Sequence, residues 1–256
     1  MKFKRILLTS LVCLLSGGLM GGYFYHVGKL SRERRRAAVC SGVDIHILDS
    51  AESSIINRND VVDMIKTPVL GEKTDSINLP LVERMVLANG EILSSQAYMS
   101  AEGRLNVEVT QRRPVARFEN STERYYSDSS GYLFPVSRPV KLPIITGNIP
   151  LRRGSDFKGY GSKEETAWIT SMTSLVELWN SDRYWRQHIQ QINIEDNGDI
   201  ALYLDSGPEK IIFGPADGAA AKMKKLKAYY ETIAPEHAPK VYSVVNLKYK
   251  NQIICK

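Results

Sequence analysis

Apolar and polar residues alternate with the period of a β-strand in residues 104–110. Leu105, Val107 and Val109 fall on one face, and the residues between them are polar or charged. Successive side chains of a strand point to opposite faces, so this pattern is typical of a strand with one buried face. The basic segment 111–117 follows it, and after that segment the pattern changes to short apolar runs separated by turn residues. We therefore expect two modules that meet at this segment.

The apolar positions of residues 43–113 predict, in chain order, one strand, two helices and a two-stranded hairpin. Apolar residues recur every second position in strands and at spacings of three and four in helices. Asn78 and Pro80 are typical of a helix start, and Asn89 with Gly90 is typical of a helix end. The elements are a strand at 43–47, a helix with Val61, Val62 and Ile65, a helix with Leu81, Val82, Met85 and Val86, and a hairpin of 92–99 with 104–112. The first module is therefore a β-α-α-β-β unit.

Residues 114–256 predict a mostly antiparallel β domain with two helices. Ser162 and Glu165 have the spacing of a capping box at the start of the first helix. Short strands separated by glycine-containing turns are typical of an antiparallel meander. The elements are a helix with Trp168, Met172, Leu175 and Trp179 on one face, strands at 192–194, 200–204 and 210–213, a helix with Met223, Leu226, Tyr230 and Ile233, and a last strand at 242–249.

Residues 6–27 contain no Lys, Arg, Asp or Glu. A helix of this length crosses about 30 Å of hydrocarbon, and the aromatic segment 23–25 is typical of a membrane interface. We predict a transmembrane helix at 6–27, a cytoplasmic tail at 1–5 and a juxtamembrane linker at 28–42. A cleaved signal peptide is the alternative, although no small-x-small cleavage site stands out.

Positive charge is concentrated at the N-terminus. Residues 1–36 carry eight basic side chains and one acidic one, and since the whole chain has a net charge of +6, the remainder sums to about −1. A near-neutral folded part excludes the basic surface of a nucleic-acid-binding protein. Three basic residues precede the predicted span and five follow it, so the positive-inside rule alone would place the large domain in the cytoplasm.

Candidate chemistry is sparse. The four histidines lack the spacing of a zinc hydrolase, and neither a nucleophile elbow nor a phosphate-binding loop occurs, so we expect no catalytic site, metal or cofactor. Cys13 lies in the predicted span, and we expect Cys40 and Cys255 to be unpaired thiols. Four lysines are expected to form the solvated face of the last helix. They are Lys222, Lys224, Lys225 and Lys227.

The succession of segments resembles the FtsQ family, also called DivIB, of bacterial cell division proteins. The first module has the β-α-α-β-β order of a POTRA domain. The ending Asn246-Leu247-Lys248-Tyr249 stands where the family has Asp, Leu, Arg and Tyr. Between them, the resemblance is carried by the basic segment 111–117 and by the segments 125–128, 131–135 and 142–147. The resemblance implies a single-pass protein of the inner membrane, with a POTRA-like domain at 43–113 and an FtsQ-type β domain at 114–256. It places residues from about 30 onward in the periplasm, against the charge count.

The resemblance also implies a function without catalysis. Members of this family are scaffolds of the division septum that bind the coiled-coil proteins FtsB and FtsL, and we expect other divisome membrane proteins to bind the POTRA-like domain and the transmembrane helix. An envelope enzyme is the alternative, but no catalytic residues converge. A POTRA-bearing assembly factor is another, but the chain has room for neither tandem POTRA repeats nor a barrel.

The last strand is the candidate partner-binding site. In the FtsQ family FtsB docks there, and a tyrosine and its preceding basic residue, here Tyr249 and Lys248, lie in the contact. A terminal strand at the edge of a sheet exposes backbone groups that an incoming strand can pair with. The alternative is an internal strand with Tyr249 in the core. The candidate residues are Asn246, Leu247, Lys248, Tyr249, Gln252 and Ile253.

Overall fold

The computed structural model describes residues 17–29, 39–50, 55–65, 68–120, 123–154, 156–205, 207–238 and 240–256. Its residues cluster into two compact units. The first comprises the described residues up to Leu48 together with Arg58–Leu87 and Ser95–Val109, and the second comprises the rest.

Residues 17–29 form a helix, α1, in which the aromatic side chains Tyr23, Phe24 and Tyr25 are exposed. Among the described residues, no helix combines the length and the apolar character needed to cross a bilayer. Residues 6–16, the first half of the predicted span, lie outside the described residues.

The first module has the β-α-α-β-β order that the sequence predicts. Its three strands form one sheet in the order β1-β3-β2, with β1 parallel to β3. The side chain of Asn78 accepts a hydrogen bond from the Leu81 amide at 3.0 Å and so caps the second helix. The elements are β1 (Gly42–Ile47), α2 (Arg58–Met64), a 3₁₀ turn (Thr74–Ser76), α3 (Leu79–Leu87), β2 (Ile92–Met99) and β3 (Arg104–Gln111).

The second unit is built on a nine-stranded sheet with the order β12-β11-β10-β9-β8-β7-β4-β5-β6. Five neighbouring pairs are antiparallel and three are parallel, so the sheet is mixed with an antiparallel majority. The strands are β4 (Ala116–Glu119), β5 (Arg124–Ser127), β6 (Leu133–Phe134), β7 (Ile144–Gly147), β8 (Ile189–Ile194), β9 (Ile200–Leu204), β10 (Lys210–Gly214), β11 (Val244–Asn246) and β12 (Ile254–Cys255).

Two helical segments connect two of the three parallel pairs, β7 to β8 and β10 to β11. The capping box predicted at Ser162 is present, and the helix it opens ends at Ser181. Asp182 then has an extended backbone, and its side chain accepts hydrogen bonds from the amides of Tyr184 and Trp185, so it starts a second short helix. The helices are α4 (Lys163–Ser181), α5 (Arg183–His188), α6 (Ala219–Ala228), a π-helical turn (Tyr229–Ile233) and α7 (Ala234–His237).

One hydrophobic core joins the helices to the sheet. Trp179 of α4 meets Phe213 of β10 with ring centroids 5.7 Å apart, and Leu226 of α6 is fully buried. Val245 and Leu247 belong to the same core, so the end of the chain is anchored by its apolar side chains. Burial of each large side chain contributes about 1.5–3 kcal/mol, which fixes the last strands on the sheet.

Candidate partner-binding site

The predicted last strand is divided into two strands. β11 ends at Asn246, the chain turns through residues 247–253, and β12 runs back beside β11 as an antiparallel strand. β11 therefore lies between β10 and β12 and is internal. The prediction that one strand at 242–249 forms the sheet edge is wrong, because a return strand of two residues covers it.

The edge of the sheet is β12. Val244 and Lys256 exchange both backbone hydrogen bonds, at 3.2 and 3.0 Å. Backbone groups of successive residues point to alternate sides of an antiparallel pair, so the N–H and C=O of Cys255 point away from β11. Among the described residues no strand follows β12 in the sheet order, and these two groups form an open pairing edge.

The opposite end of the sheet is occupied. Leu133 of β6 donates its amide to the carbonyl of Gly159 at 2.9 Å, and the Gly159 amide donates back to Leu133 at 3.0 Å. This reciprocal pair uses the backbone groups with which an added strand would bind. Of the two ends of the nine-stranded sheet, β12 is therefore the one that offers backbone groups for pairing.

Leu247 lies in the core. Its side chain is 0% exposed, and its amide donates to the carbonyl of Ile212 at 2.8 Å. Among the six candidate residues it therefore serves to hold the end of β11 against β10. A contact between Leu247 and a partner protein stays a prediction, and the burial of its side chain argues against it.

Tyr249 is in the turn and not in the core. Its side chain is 51% exposed, and Ile254 on β12 is also partly exposed. Gln252 is exposed and Ile253 is half-buried, so the turn and β12 present both apolar and polar groups to solvent. Of the alternatives for Tyr249, the solvent-facing position is the one observed.

Lys248 forms an ion pair within its own domain. Its Nζ lies 2.6 Å from Oδ2 of Asp199, which stands before β9 and is 7% exposed. This hydrogen bond raises the pKa of Lys248 above its ordinary value. The lysine stem crosses Gly214, where a Cβ would lie 2.5 Å from Lys248 Cγ. A glycine is therefore needed at this crossing.

The lysines of α6 are not all solvated. The expectation is wrong for Lys222, which is 8% exposed and donates to the Pro215 carbonyl at 2.6 Å. It is also wrong for Lys225, whose Nζ contacts carbonyl oxygens of the turn at 247–253. Lys224 and Lys227 are exposed. Helical periodicity gave no signal for Lys225, because its partners are backbone atoms distant in sequence.

The two cysteines in the described part of the chain are free thiols, Cys40 buried and Cys255 partly buried. Burial raises the pKa of the Cys255 thiol. Within the described ranges, no three His, Cys, Asp or Glu side chains are grouped as metal ligands would be. The site consists of a strand edge and a turn.

Two protein-family models match the chain. One, described as a POTRA-like domain, matches residues 38–110, and the other, described as FtsQ/DivIB, C-terminal related, matches residues 113–256. No curated protein matches it. The second match covers more than half of the chain and includes the whole nine-stranded sheet with its β12 edge. The chain belongs to the FtsQ/DivIB family.

Proposed function

We propose that this protein is a non-catalytic scaffold of the bacterial division machinery. A POTRA-like domain followed by an FtsQ/DivIB-related domain supports this role. In the proposal residues 6–27 anchor the chain in the inner membrane, and the rest of the chain lies in the periplasm at the septum. The near-neutral charge of residues 37–256 fits binding to proteins and not to nucleic acid.

The main partner is a coiled-coil division protein resembling FtsB, in company with an FtsL-like protein. The observation that carries this assignment is the open edge of β12, where the Cys255 N–H and C=O point outward. An extended partner segment adds to such an edge as one more strand, with main-chain hydrogen bonds giving affinity. β12 has only two residues, so side chains beside it must supply much of the binding energy.

Tyr249 is the side chain best placed to supply it. A tyrosine gives a large, stiff contact surface with a polar end and is enriched among residues that dominate interfaces. Asn246, Gln252 and Ile253 flank the edge and complete the proposed contact. Lys248 contributes mainly by holding the turn through Asp199, because its ammonium is already paired.

Other divisome membrane proteins are proposed to bind the POTRA-like domain and the transmembrane helix. These contacts are separate from the β12 edge. A scaffold of this kind brings several proteins together without changing any of them chemically.

Substitution of Cys255 by proline tests the proposed edge. Proline lacks an amide hydrogen and is tolerated on an edge strand where that hydrogen faces outward. The two backbone hydrogen bonds between Val244 and Lys256 are retained, so the fold should persist. Capture of the FtsB-like protein of the same bacterium by the full-length chain should fall at least tenfold, about 1.4 kcal/mol. Capture is measured by surface plasmon resonance.

The matched control is Cys255→Ala, which keeps the amide hydrogen and should bind as the unchanged chain does. Equal capture by a folded proline variant would contradict strand addition at β12. In cells depleted of the protein, filaments without septa support the scaffold role, and normal division would contradict it.

A further inference from the structure

The ammonium of Lys225 lies at the centre of the turn that joins β11 to β12. Its Nζ donates to the carbonyl oxygen of Tyr249 at 2.7 Å, to that of Gln252 at 3.4 Å, and to that of Leu247. These three carbonyls come from the start, middle and end of the turn. One side chain on α6 therefore connects the whole turn to the core helix.

The turn has little regular structure of its own. Within the described residues its internal backbone contact is a long hydrogen bond from the Gln252 amide to the Tyr249 carbonyl, at 3.4 Å. Asn251 adopts a left-handed backbone with φ +61°, a conformation that asparagine tolerates better than most residues. Ordering a segment of this kind costs conformational entropy at each of its residues.

Hydrogen bonds from a charged donor are stronger than those between neutral groups. Lys225 is half-buried, so its ammonium has lost part of its water, and the turn carbonyls replace that water as partners. The same loss of water lowers the pKa of Lys225. These hydrogen bonds therefore satisfy both the half-buried ammonium and the carbonyl groups of the turn.

We infer that Lys225 is a positioning residue for the partner-binding edge. Its ammonium orders the turn, and through the turn it sets Tyr249 and β12 in their binding positions before a partner arrives. The inference rests on the proposed function, because it concerns the same edge. A preorganised turn spares the complex the entropy of ordering it, and association is faster as a result.

The test compares Lys225→Met with Lys224→Met in the full-length chain. Both variants remove one ammonium from α6. Lys224 is the residue next to Lys225 on the helix, but its side chain is exposed. Lys225→Met should weaken capture of the FtsB-like protein about tenfold, chiefly through a slower association rate. Hydrogen exchange at residues 249–255 should become faster. Lys224→Met should leave both measurements unchanged.

Lys225→Arg separates positioning from packing. A guanidinium can donate to several carbonyls, so this variant should restore slow exchange and most of the association rate, whereas a lost packing contact would not be restored. Exchange in β8 and β9 reports whether the domain remains folded. If Lys225→Met does not fold, Lys225→Gln, which keeps a shorter neutral donor, takes its place.

Unchanged exchange at the turn together with unchanged association in Lys225→Met would overturn the inference. The Cys255→Pro variant distinguishes this result from failure of the proposed function. If proline abolishes capture while Lys225→Met does not weaken it, the edge binds the partner without help from Lys225. If proline has no effect on capture, the proposal that the partner docks on β12 is wrong. Hydrogen exchange at residues 249–255 then still decides whether Lys225 orders the turn.

Discussion

The Nζ of Lys248 lies 2.6 Å from a carboxylate oxygen of Asp199. The Asp199 carboxylate also accepts a hydrogen bond from the Asn197 side chain at 3.0 Å. The ion pair joins the β8–β9 hairpin to the turn that carries Tyr249. Lys248, which the sequence predicts to contact another protein, is therefore paired with a carboxylate of its own domain.

Replacing Lys248 by methionine should lower the melting temperature. The change leaves the enclosed Asp199 carboxylate with Asn197 as its remaining side-chain partner, and an uncompensated carboxylate is costly to bury. Lys250→Met is the matched control, because Lys250 is exposed in the same turn. Calorimetry should show a larger decrease for Lys248→Met, and adding Asp199→Asn should recover part of it. Equal melting temperatures for the two lysine variants would contradict a stabilising pair.

Leu247 and Tyr249 should separate folding from binding. Leu247→Ala removes a fully buried side chain and should lower the free energy of unfolding by about 2–5 kcal/mol. Tyr249→Ala removes an exposed ring and should leave that free energy nearly unchanged, while capture of the FtsB-like protein falls at least tenfold. Urea unfolding and surface plasmon resonance measure the two quantities. A strongly destabilised Tyr249→Ala would place the ring in the core after all.

Tyr125 should make the fold sensitive to alkali. Burial, with a hydrogen bond to Glu123, raises the pKa of Tyr125 from 10.0 to about 12. The folded state therefore keeps a proton that the unfolded state loses, and stability falls as the pH rises from about 10 towards 12. The loss amounts to about 2–3 kcal/mol, since one pKa unit is about 1.4 kcal/mol.

Urea unfolding at pH values on either side of 10 checks this dependence, and Tyr125→Phe should flatten it. Burial also raises the pKa of Tyr229, so Tyr229→Phe should flatten the remaining slope. An unchanged slope in both variants would assign the alkaline loss to other groups.

Ser162→Ala should lower the free energy of unfolding by about 1 kcal/mol. The serine Oγ accepts a hydrogen bond from the Glu165 amide at 3.2 Å, and the Glu165 carboxylate accepts one from the Ser162 amide at 2.6 Å. Ser162→Asp should retain most of the stability, because aspartate also caps helix starts. Thermal unfolding of the three chains would reveal whether the cap is dispensable.

Local patterns predicted much of the fold. The capping box at Ser162, the cap at Asn78 and the strands of the meander all depend on residues close together in sequence, so propensity and spacing indicate them directly. The β-α-α-β-β order followed for the same reason. Even Asn251, which tolerates a left-handed backbone, is a local hint of the turn that divides the last strand.

The parts that the sequence did not predict depend on distant contacts. A strand of two residues, β12, is too short for alternation to be read. Lys225 and Lys248 reach groups more than 20 positions away, and nothing in a charged helix face distinguishes a lysine bound to carbonyls from a solvated one. Tertiary packing decides these contacts, so the residues of the site could be predicted only in part from the sequence.

The shortness of β12 also bears on self-association. A long, flat edge strand is a template on which another chain can pair, whereas an edge of two residues offers few hydrogen bonds to an incoming strand. We therefore expect that two copies of this chain do not pair stably through β12 alone. An edge this short is stable in a complex only with a partner whose side chains fit the surface around it.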